Sequence, residues 1–508
     1  MASLQLLNRA FLFFILLLFV VCSKKVEIEK KYNNKEKILV KIDDKRVITV
    51  KDFIRRAEYT IRPVYCRNNY NIDKKIILNS LIAEKLFSIE AGDSSEVLKN
   101  ERFQLYFRGR KEQAMRLLLY NDVAFNKVKI DSPFIDKHVN FSRRKYELSY
   151  MSLPSEEIAY DVIKELKNKN LTIDDYLLKI KKVKKVPTKK LEWNVGENEN
   201  VLNAIFTRDL KKKEIVGPVK IDDNFYMIFQ IKGWIQQPFY TQKEYNEKFE
   251  SVAQWYRNNK ADILYKEFKK KIMSGKTINF YKETFDKVVK ILAPLYLKTD
   301  KEKKDIVNKA YWNSEVDSFE FLDAEKKLKK IGKQPFFDIN GKVWTVNDFL
   351  YEQYIHPLVF RKRKMKNIEF GQQLQLAIMD MITDKYLAEE AYKRGYDKTD
   401  VVKNNLQMWK DYYNALYYKY NLLSRCKVEG NFKSNYTSII EKYLNPIVND
   451  LQKKYSDQIY IDVDEFNKIK LTRTNMQVFQ HNVPYKFLVP SFPLITTDYM
   501  LDYGKKME

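Results

Sequence analysis

Two stretches of this chain, far apart, carry nearly the same pattern, and this repetition limits the fold more than any other feature. Ile42-Asp43-Asp44-Lys45-Arg46-Val47-Ile48-Thr49-Val50-Lys51-Asp52-Phe53 is matched, one residue shorter, by Ile339-Asn340-Gly341-Lys342-Val343-Trp344-Thr345-Val346-Asn347-Asp348-Phe349. In both, turn-forming residues (Asp-Asp or Asn-Gly) sit between β-branched ones, which specifies a strand–turn–strand hairpin. Thr49 and Thr345 stand where a side-chain oxygen caps the helix that follows, near Asp52-Phe53 and Asp348-Phe349. A second helix comes after each hairpin. Leu78, Leu81, Ile82, Lys85 and Ala91 match Ile378, Met381, Ile382, Lys385 and Ala391 at a constant offset of 300 positions, the apolar members at helical spacing. Gly92 and Gly395 lie near the helix ends as C-caps would. Longer helices are expected over residues 101–128 and 400–426.

Each copy also has a returning segment. Tyr245, Phe249, Val252 and Tyr256 fall at i, i+4, i+7 and i+11 of an amphipathic helix, after which Ile278-Asn279-Phe280 runs into Lys282-Glu283-Thr284-Phe285. Tyr460-Ile461-Asp462 runs into Val463-Asp464-Glu465-Phe466 in the same way. The expectation is that the first return closes copy one around an insert at residues 145–234, and the second closes copy two.

At 508 residues the chain exceeds a single core, and 45% hydrophobic content excludes wholesale disorder. With 12 glycines and no G-x-x-x-x-G-K-[ST] or G-x-G-x-x-G, phosphate-cradling loops are absent and nucleotide-dependent enzymes are disfavoured. Three cysteines (Cys22, Cys66, Cys426) and three histidines (His138, His356, His481) show no metal-ligand spacing and no disulfide framework, so neither metal nor cofactor is expected. Cys66 and Cys426 are expected as unpaired buried thiols. Lys+Arg 93 against Asp+Glu 67 gives +26, but lysines are interspersed with acids, as at residues 27–37 and 301–304, the pattern of solvated helix faces. A functional basic face would suit anionic lipid headgroups, envelope polymers or acidic unfolded chains. Nucleic acid is not an expected partner, since no basic stripe with interleaved aromatics is present.

At the N-terminus, Arg9 precedes an apolar run from Phe11 to Val21, and Lys24 and Lys25 follow. The run is too short for an ordinary membrane span of about 20 residues and reads as a secretory signal. Phe19-Val20-Val21-Cys22-Ser23 resembles a bacterial lipobox, which implies lipidation of Cys22 and an extracytoplasmic, membrane-anchored protein; Val21 departs from the small residue usual there.

The frame of hairpin, helices and return resembles the SurA/PrsA-type extracytoplasmic chaperones, whose N-terminal hairpin-and-helix segment and C-terminal segment pack together around an inserted parvulin-type prolyl isomerase domain. The likeness covers residues 38–290 and, without the insert, 335–471. Within the insert, Tyr146-Glu147-Leu148-Ser149-Tyr150-Met151-Ser152-Leu153 matches the parvulin first strand, followed by a helix over residues 155–167. Leu202-Asn203-Ala204-Ile205-Phe206 and Lys213-Glu214-Ile215-Val216-Gly217-Pro218-Val219 match its helix end and a strand entry, and Asn224-Phe225-Tyr226-Met227-Ile228-Phe229 its closing strand. Carried over residue by residue, the family's two cleft histidines fall on Ser149 and Tyr226, its proline-cradling methionine and phenylalanine fall near Glu197 and Val201, and Phe206 ends the cleft helix. The glycine-rich segment has become Lys189-Lys190-Leu191-Glu192-Trp193. A parvulin eases rotation about an X-Pro bond, whose barrier is about 18–20 kcal/mol, by holding the twisted amide in an apolar cradle. With both histidines replaced, the resemblance implies a degenerate site. Ser149 and Tyr226 could form a hydroxyl pair, but no Asp–His partner supports nucleophilic catalysis.

The expected fold is α+β and predominantly helical. Its parts are a signal segment (1–22), a discontinuous chaperone module (37–144 and 242–292), a small parvulin-like α/β domain (145–234), a linker (293–334), a second chaperone module (335–475) and a C-terminal extension (476–508). The favoured function is an ATP-independent chaperone or foldase that binds unfolded secreted or envelope polypeptides; the alternatives are an active prolyl isomerase and an envelope scaffold lipoprotein. The 35 tyrosines suit loose recognition of apolar segments, although aromatics such as Trp255, Trp409, Tyr412, Tyr413, Tyr417 and Tyr418 are expected mainly as core. His356 precedes Pro357, where a helix should end, and a local hydrogen bond is expected for it. Pro484, Pro490 and Pro493 make the last stretch extended, lying along the second module or reaching a partner.

Overall fold

The computed structural model describes residues 37–507 except 44, 68–69, 94, 194–196, 223–224, 298–318, 363–364, 427, 429–431 and 473–475. The expected signal segment with Cys22, and residues 298–318 of the expected linker, lie outside the described residues. The chain forms two compact units, one from Met1–Leu119 with Lys271–Glu508 and the other from Tyr120–Lys270.

The first hairpin pairs β1 (Ile38–Lys41) with β2 (Val47–Thr49), Val40 opposite Ile48. Its turn is closed by Asp43, whose Oδ1 accepts the backbone N–H groups of Lys45 (2.8 Å) and Arg46 (2.6 Å). Thr49 and Asp52 form a reciprocal capping box that starts α1 (Val50–Glu58). Next comes α2 (Tyr70–Ala91), buried on every side from Ile76 to Ser88, so it is an interior helix rather than an amphipathic one. It stops at Gly92, where φ is 77°. The following long helix is α3 (Glu101–Val123).

The second unit contains α4 (Ser132–Ser142), β3 (Arg144–Leu153), α5 (Glu156–Asn168), β4 (Thr188–Leu191), α6 (Glu199–Phe206), β5 (Ile215–Asp222), β6 (Phe225–Gln236) and α7 (Gln242–Met273). Its sheet has the order β4-β3-β6-β5 with antiparallel neighbours. Successive strand residues point to opposite faces. Tyr146, Leu148, Phe229 and Ile231 join a core with α4, α6 and α7, whereas Met151, Leu153 and Ile228 join another with α5.

Returning to the first unit, β7 (Ile278–Phe280) leads into α8 (Lys282–Tyr296), and α9 (Phe319–Lys330) precedes the second hairpin, β8 (Pro335–Ile339) and β9 (Lys342–Thr345). Asn340 and Gly341 have φ of 50° and 80°, the two-residue left-handed turn that suits the twist of a hairpin. Thr345 and Asp348 repeat the capping box at the start of α10 (Val346–Ile355). Then follow α11 (Asn367–Lys393), α12 (Asp400–Arg425), α13 (Asn445–Lys454), β10 (Tyr460–Ile461), α14 (Val463–Lys468) and β11 (Lys505–Lys506).

The closures are exchanged relative to the sequence expectation. The return at 460–466 closes the first hairpin, not the second: β10 pairs with β1, Val40 opposite Ile461, and Phe466 packs edge-on against Phe53 at 5.7 Å. The return at 278–285 closes the second hairpin, β7 pairing with β8 and Phe285 joining Phe336, Phe337 and Phe349 in one core. Both returns carry the same strand–helix pattern and fit the same edge, so local pattern does not choose between them. Long-range packing does: α12 and α13 lie on α2 and bring β10 to β1. The described residues are thus predominantly helical α+β, as expected, with three small sheets.

Candidate functional site

The five positions expected at a parvulin-like cleft do not converge. Val201 is 2% exposed and sits with Phe206 in the core shared by α6 and α7. Ser149 and Tyr226 lie on the opposite face of the sheet. There Ser149 Oγ donates to Asp174 Oδ1, and Tyr226 packs beside Met151 and Ile228. The suggested hydroxyl pair is not formed, because Tyr226 is opposite Leu153 in the β3–β6 register. Ser149 is opposite Gln230 instead. Gln230 is 6% exposed, its Oε1 accepting from the Ile173 N–H (2.8 Å) and its Nε2 donating to the Lys213 carbonyl (3.1 Å). Sequence reading missed this residue; a lone amide within the apolar run from Phe225 to Ile231 was the available signal. Glu197 is paired with Lys189 (2.7 Å) and accepts from the Asn198 N–H (3.1 Å), so it is a surface ion-pair member and not part of an apolar cradle.

A cavity of about 1310 Å³ lies in the other unit, walled mainly by aliphatic and aromatic side chains. One wall is a single stripe of α12: Tyr412, Leu416, Lys419 and Leu423 at i, i+4, i+7 and i+11. Facing walls come from the segment Ile61-Arg62-Pro63, from Leu358 and Phe360, and from the C-terminal extension through Phe487, Phe492 and Leu494. Tyr412 is buried, as expected of a core residue, and also lines this cleft, and the proline-rich stretch forms part of its rim.

That stretch has almost no regular structure, so its backbone must be satisfied by side chains. Tyr485 and Gln113 exchange two hydrogen bonds (2.9 and 2.8 Å) and Arg110 NH1 donates to the Phe487 carbonyl (2.7 Å). Arg56 NH2 donates to the Ser491 carbonyl (3.0 Å) and Asn79 Nδ2 to those of Asp498 and Met500 (2.9 and 2.7 Å). The Tyr485 hydroxyl reaches the Ile355 carbonyl (2.9 Å) beside Gly109, a position with no room for a Cβ.

His356 ends α10 with the expected local hydrogen bond, its backbone N–H donating to the Glu352 carbonyl (2.7 Å), and its ring also meets partners distant in sequence. Nε2 stands 2.9 Å from Glu112 Oε2 on α3 and Nδ1 stands 3.1 Å from Arg116 NH1. Burial pushes the Glu112 carboxyl up, but His356 and Arg108 outweigh it and hold that carboxyl down to about 2. Of the two described cysteines, both unpaired, Cys66 is buried as expected and burial pushes its thiol up to about 12, whereas Cys426 is exposed.

Among the described residues, no group of three or more His, Cys, Asp or Glu side chains is placed to hold a metal ion, and no helix is long and apolar enough to cross a membrane. No family model and no curated protein matches the chain.

Proposed function

We propose that the chain is an ATP-independent chaperone of the bacterial envelope, built on the SurA/PrsA plan and tethered through Cys22. On this reading it holds unfolded secreted or envelope polypeptides. Its Tyr120–Lys270 unit is then a parvulin-like domain that no longer isomerises X-Pro bonds.

The observation that carries this reading is the cleft. Its volume of about 1310 Å³ exceeds the ~300–1,000 Å³ typical of small-molecule sites, which suits a chain segment with several side chains. Its walls offer mainly aromatic and aliphatic area, and that favours tolerant recognition. Two further features support the plan: the first hairpin is completed by the late return, and the order strand, helix, strand, helix, strand, strand in the second unit fits a parvulin-like insert. The silence of the insert is supported by Ser149 facing Gln230, and by Val201 and Phe206 lying on the other face of the sheet.

The test adds the full chain to a reduced, aggregating protein and, in parallel, to an X-Pro peptide. Aggregation should be suppressed, and Leu416→Lys, which sets a second charge on the apolar wall, should weaken the effect. Faster cis/trans exchange, lost on changing Tyr226 or Phe206, would make the protein an enzyme instead. A stable complex with one envelope protein and no action on unfolded chains would make it a scaffold.

A further inference from the structure

The cleft is apolar, yet one of its walls presents an ammonium. Lys419 takes the third place of the α12 stripe, between Leu416 and Leu423. An alkylammonium has three donors. Among the described residues Lys419 Nζ reaches the Leu494 carbonyl at 3.3 Å and lies 4.8 Å from the Phe432 ring centroid, and no carboxylate is within ion-pairing distance. Burial pushes its amine down to about 8, with Glu84 pulling weakly the other way.

Other lysines in the same unit differ. Lys85 binds Asp411 at 2.7 Å, Lys362 binds Glu369 at 2.6 Å, and the buried Lys74 donates to two carbonyls, those of Phe466 and Ile469. Glu84, the single carboxylate lining the cleft among the described residues, is already committed: its two oxygens accept from Arg56 at 2.8 and 2.7 Å. The remaining ionic residues of the lining, Arg62, Arg67, Lys362 and Lys486, are cationic, and His481 is beside them. The cleft is therefore greasy with a positive field, and its α12 wall carries a cation with one long hydrogen bond and no carboxylate partner.

A wholly apolar occupant would cover Lys419 and strip its water without offering an acceptor, which is unfavourable. An occupant with a carboxylate at that point gains a charge-assisted bond in a low-dielectric site. We infer that the cleft selects polypeptide segments in which an acidic side chain is set among aromatic or aliphatic residues, the carboxylate seating on Lys419 Nζ. This rests on the chaperone reading and adds a selection rule to it.

The test uses the full chain and fluorescein-labelled decapeptides, identical except for Glu or Gln at a central position among Phe and Leu, with binding read by anisotropy. At pH 7 the Glu peptide should bind about tenfold more tightly than the Gln peptide, as one charge-assisted bond allows. At about pH 9.5 Lys419 has lost its proton while the peptide carboxylate stays ionised, so the ratio should fall towards one. Lys419→Met should abolish the preference at both pH values, and Lys419→Arg, which keeps its charge, should retain it at both. Equal binding of the two peptides at pH 7, or a preference that survives Lys419→Met, overturns the selection rule while leaving the chaperone reading intact. If neither peptide binds, the chaperone reading falls and the rule with it. If decanoate binds where neither peptide does, the cleft belongs to a lipid-like amphiphile, and the inference is equally overturned.

Discussion

Asp411→Asn probes how the first hairpin is locked to α12. Asp411 is 0% exposed, with Oδ2 accepting from Lys85 Nζ (2.7 Å) and Oδ1 accepting from Ser88 Oγ, Gln407 Nε2 (each 2.8 Å) and Arg46 Nε (3.3 Å). Asparagine keeps the shape but supplies one acceptor oxygen where the carboxylate had two. It also turns an NH2 group towards a cation. Breaking a buried ion pair by removing one partner costs about 3–5 kcal/mol. Arg46 keeps Asp43 (2.8 Å) and Asp93 (3.2 Å), so the loss falls mainly on Lys85, and the lower end of that range, about 3 kcal/mol, is expected. In urea, followed by tryptophan fluorescence, that is a fall in midpoint of about 1 M for a slope of about 3 kcal/mol per M. The double variant Asp411→Leu with Lys85→Met removes both charges and should be more stable than the sum of the single losses by at least about 1 kcal/mol. A loss below about 0.5 kcal/mol for Asp411→Asn, or strict additivity in the cycle, would refute the claim that this is a buried, coupled pair.

Gly109→Ala would push a methyl group into the Tyr485 hydroxyl and the Ile355 carbonyl, so it should cost about 1–3 kcal/mol and make residues 480–495 newly sensitive to limited proteolysis. The Glu112 carboxyl, held at about 2 against a usual 4.5, contributes stability that is present above pH 4.5 and lost as pH falls through 2. Glu112→Gln should therefore lower Tm at pH 7 and flatten the Tm-versus-pH curve between those two values, as measured by differential scanning fluorimetry.

Local features were legible in the sequence because their causes are local. Thr49 with Asp52 and Thr345 with Asp348 cap their helices as the spacing implies, and Asn340-Gly341 turns as such a pair must. The identity of the partner strands was not legible, since the two returns are equivalent as patterns and only the packing of α12 and α13 on α2 distinguishes them. The cleft was hidden for a related reason. Tyr412, Leu416, Lys419 and Leu423 read as one more amphipathic face, and only the segments opposite, the C-terminal extension among them, turn that face into a wall. His356 was placed correctly at a helix end, but nothing near it in sequence announces Glu112 or Arg116. Ser149, Tyr226, Val201 and Phe206 fall in strands and a helix as their pattern implies, and Glu197 in the loop before that helix, whereas side-chain parity, which separates Ser149 from Val201, depends on the register of the sheet.

The exchanged closure sets a timetable for biogenesis. The β1 strand is among the first described segments to be made, yet Val40 must wait for Ile461, roughly 420 residues later. At about 5–20 residues per second that is a delay of roughly 20–80 s, during which α2, buried from Ile76 to Ser88 in the finished fold, lacks the cover of α13 and the late return. The Tyr120–Lys270 unit and the β7–β8–β9 sheet have no such wait, because their strands are close together in synthesis order. The nascent chain thus leaves part of the apolar surface of α2 uncovered for most of its synthesis, and the first hairpin is completed only near its end.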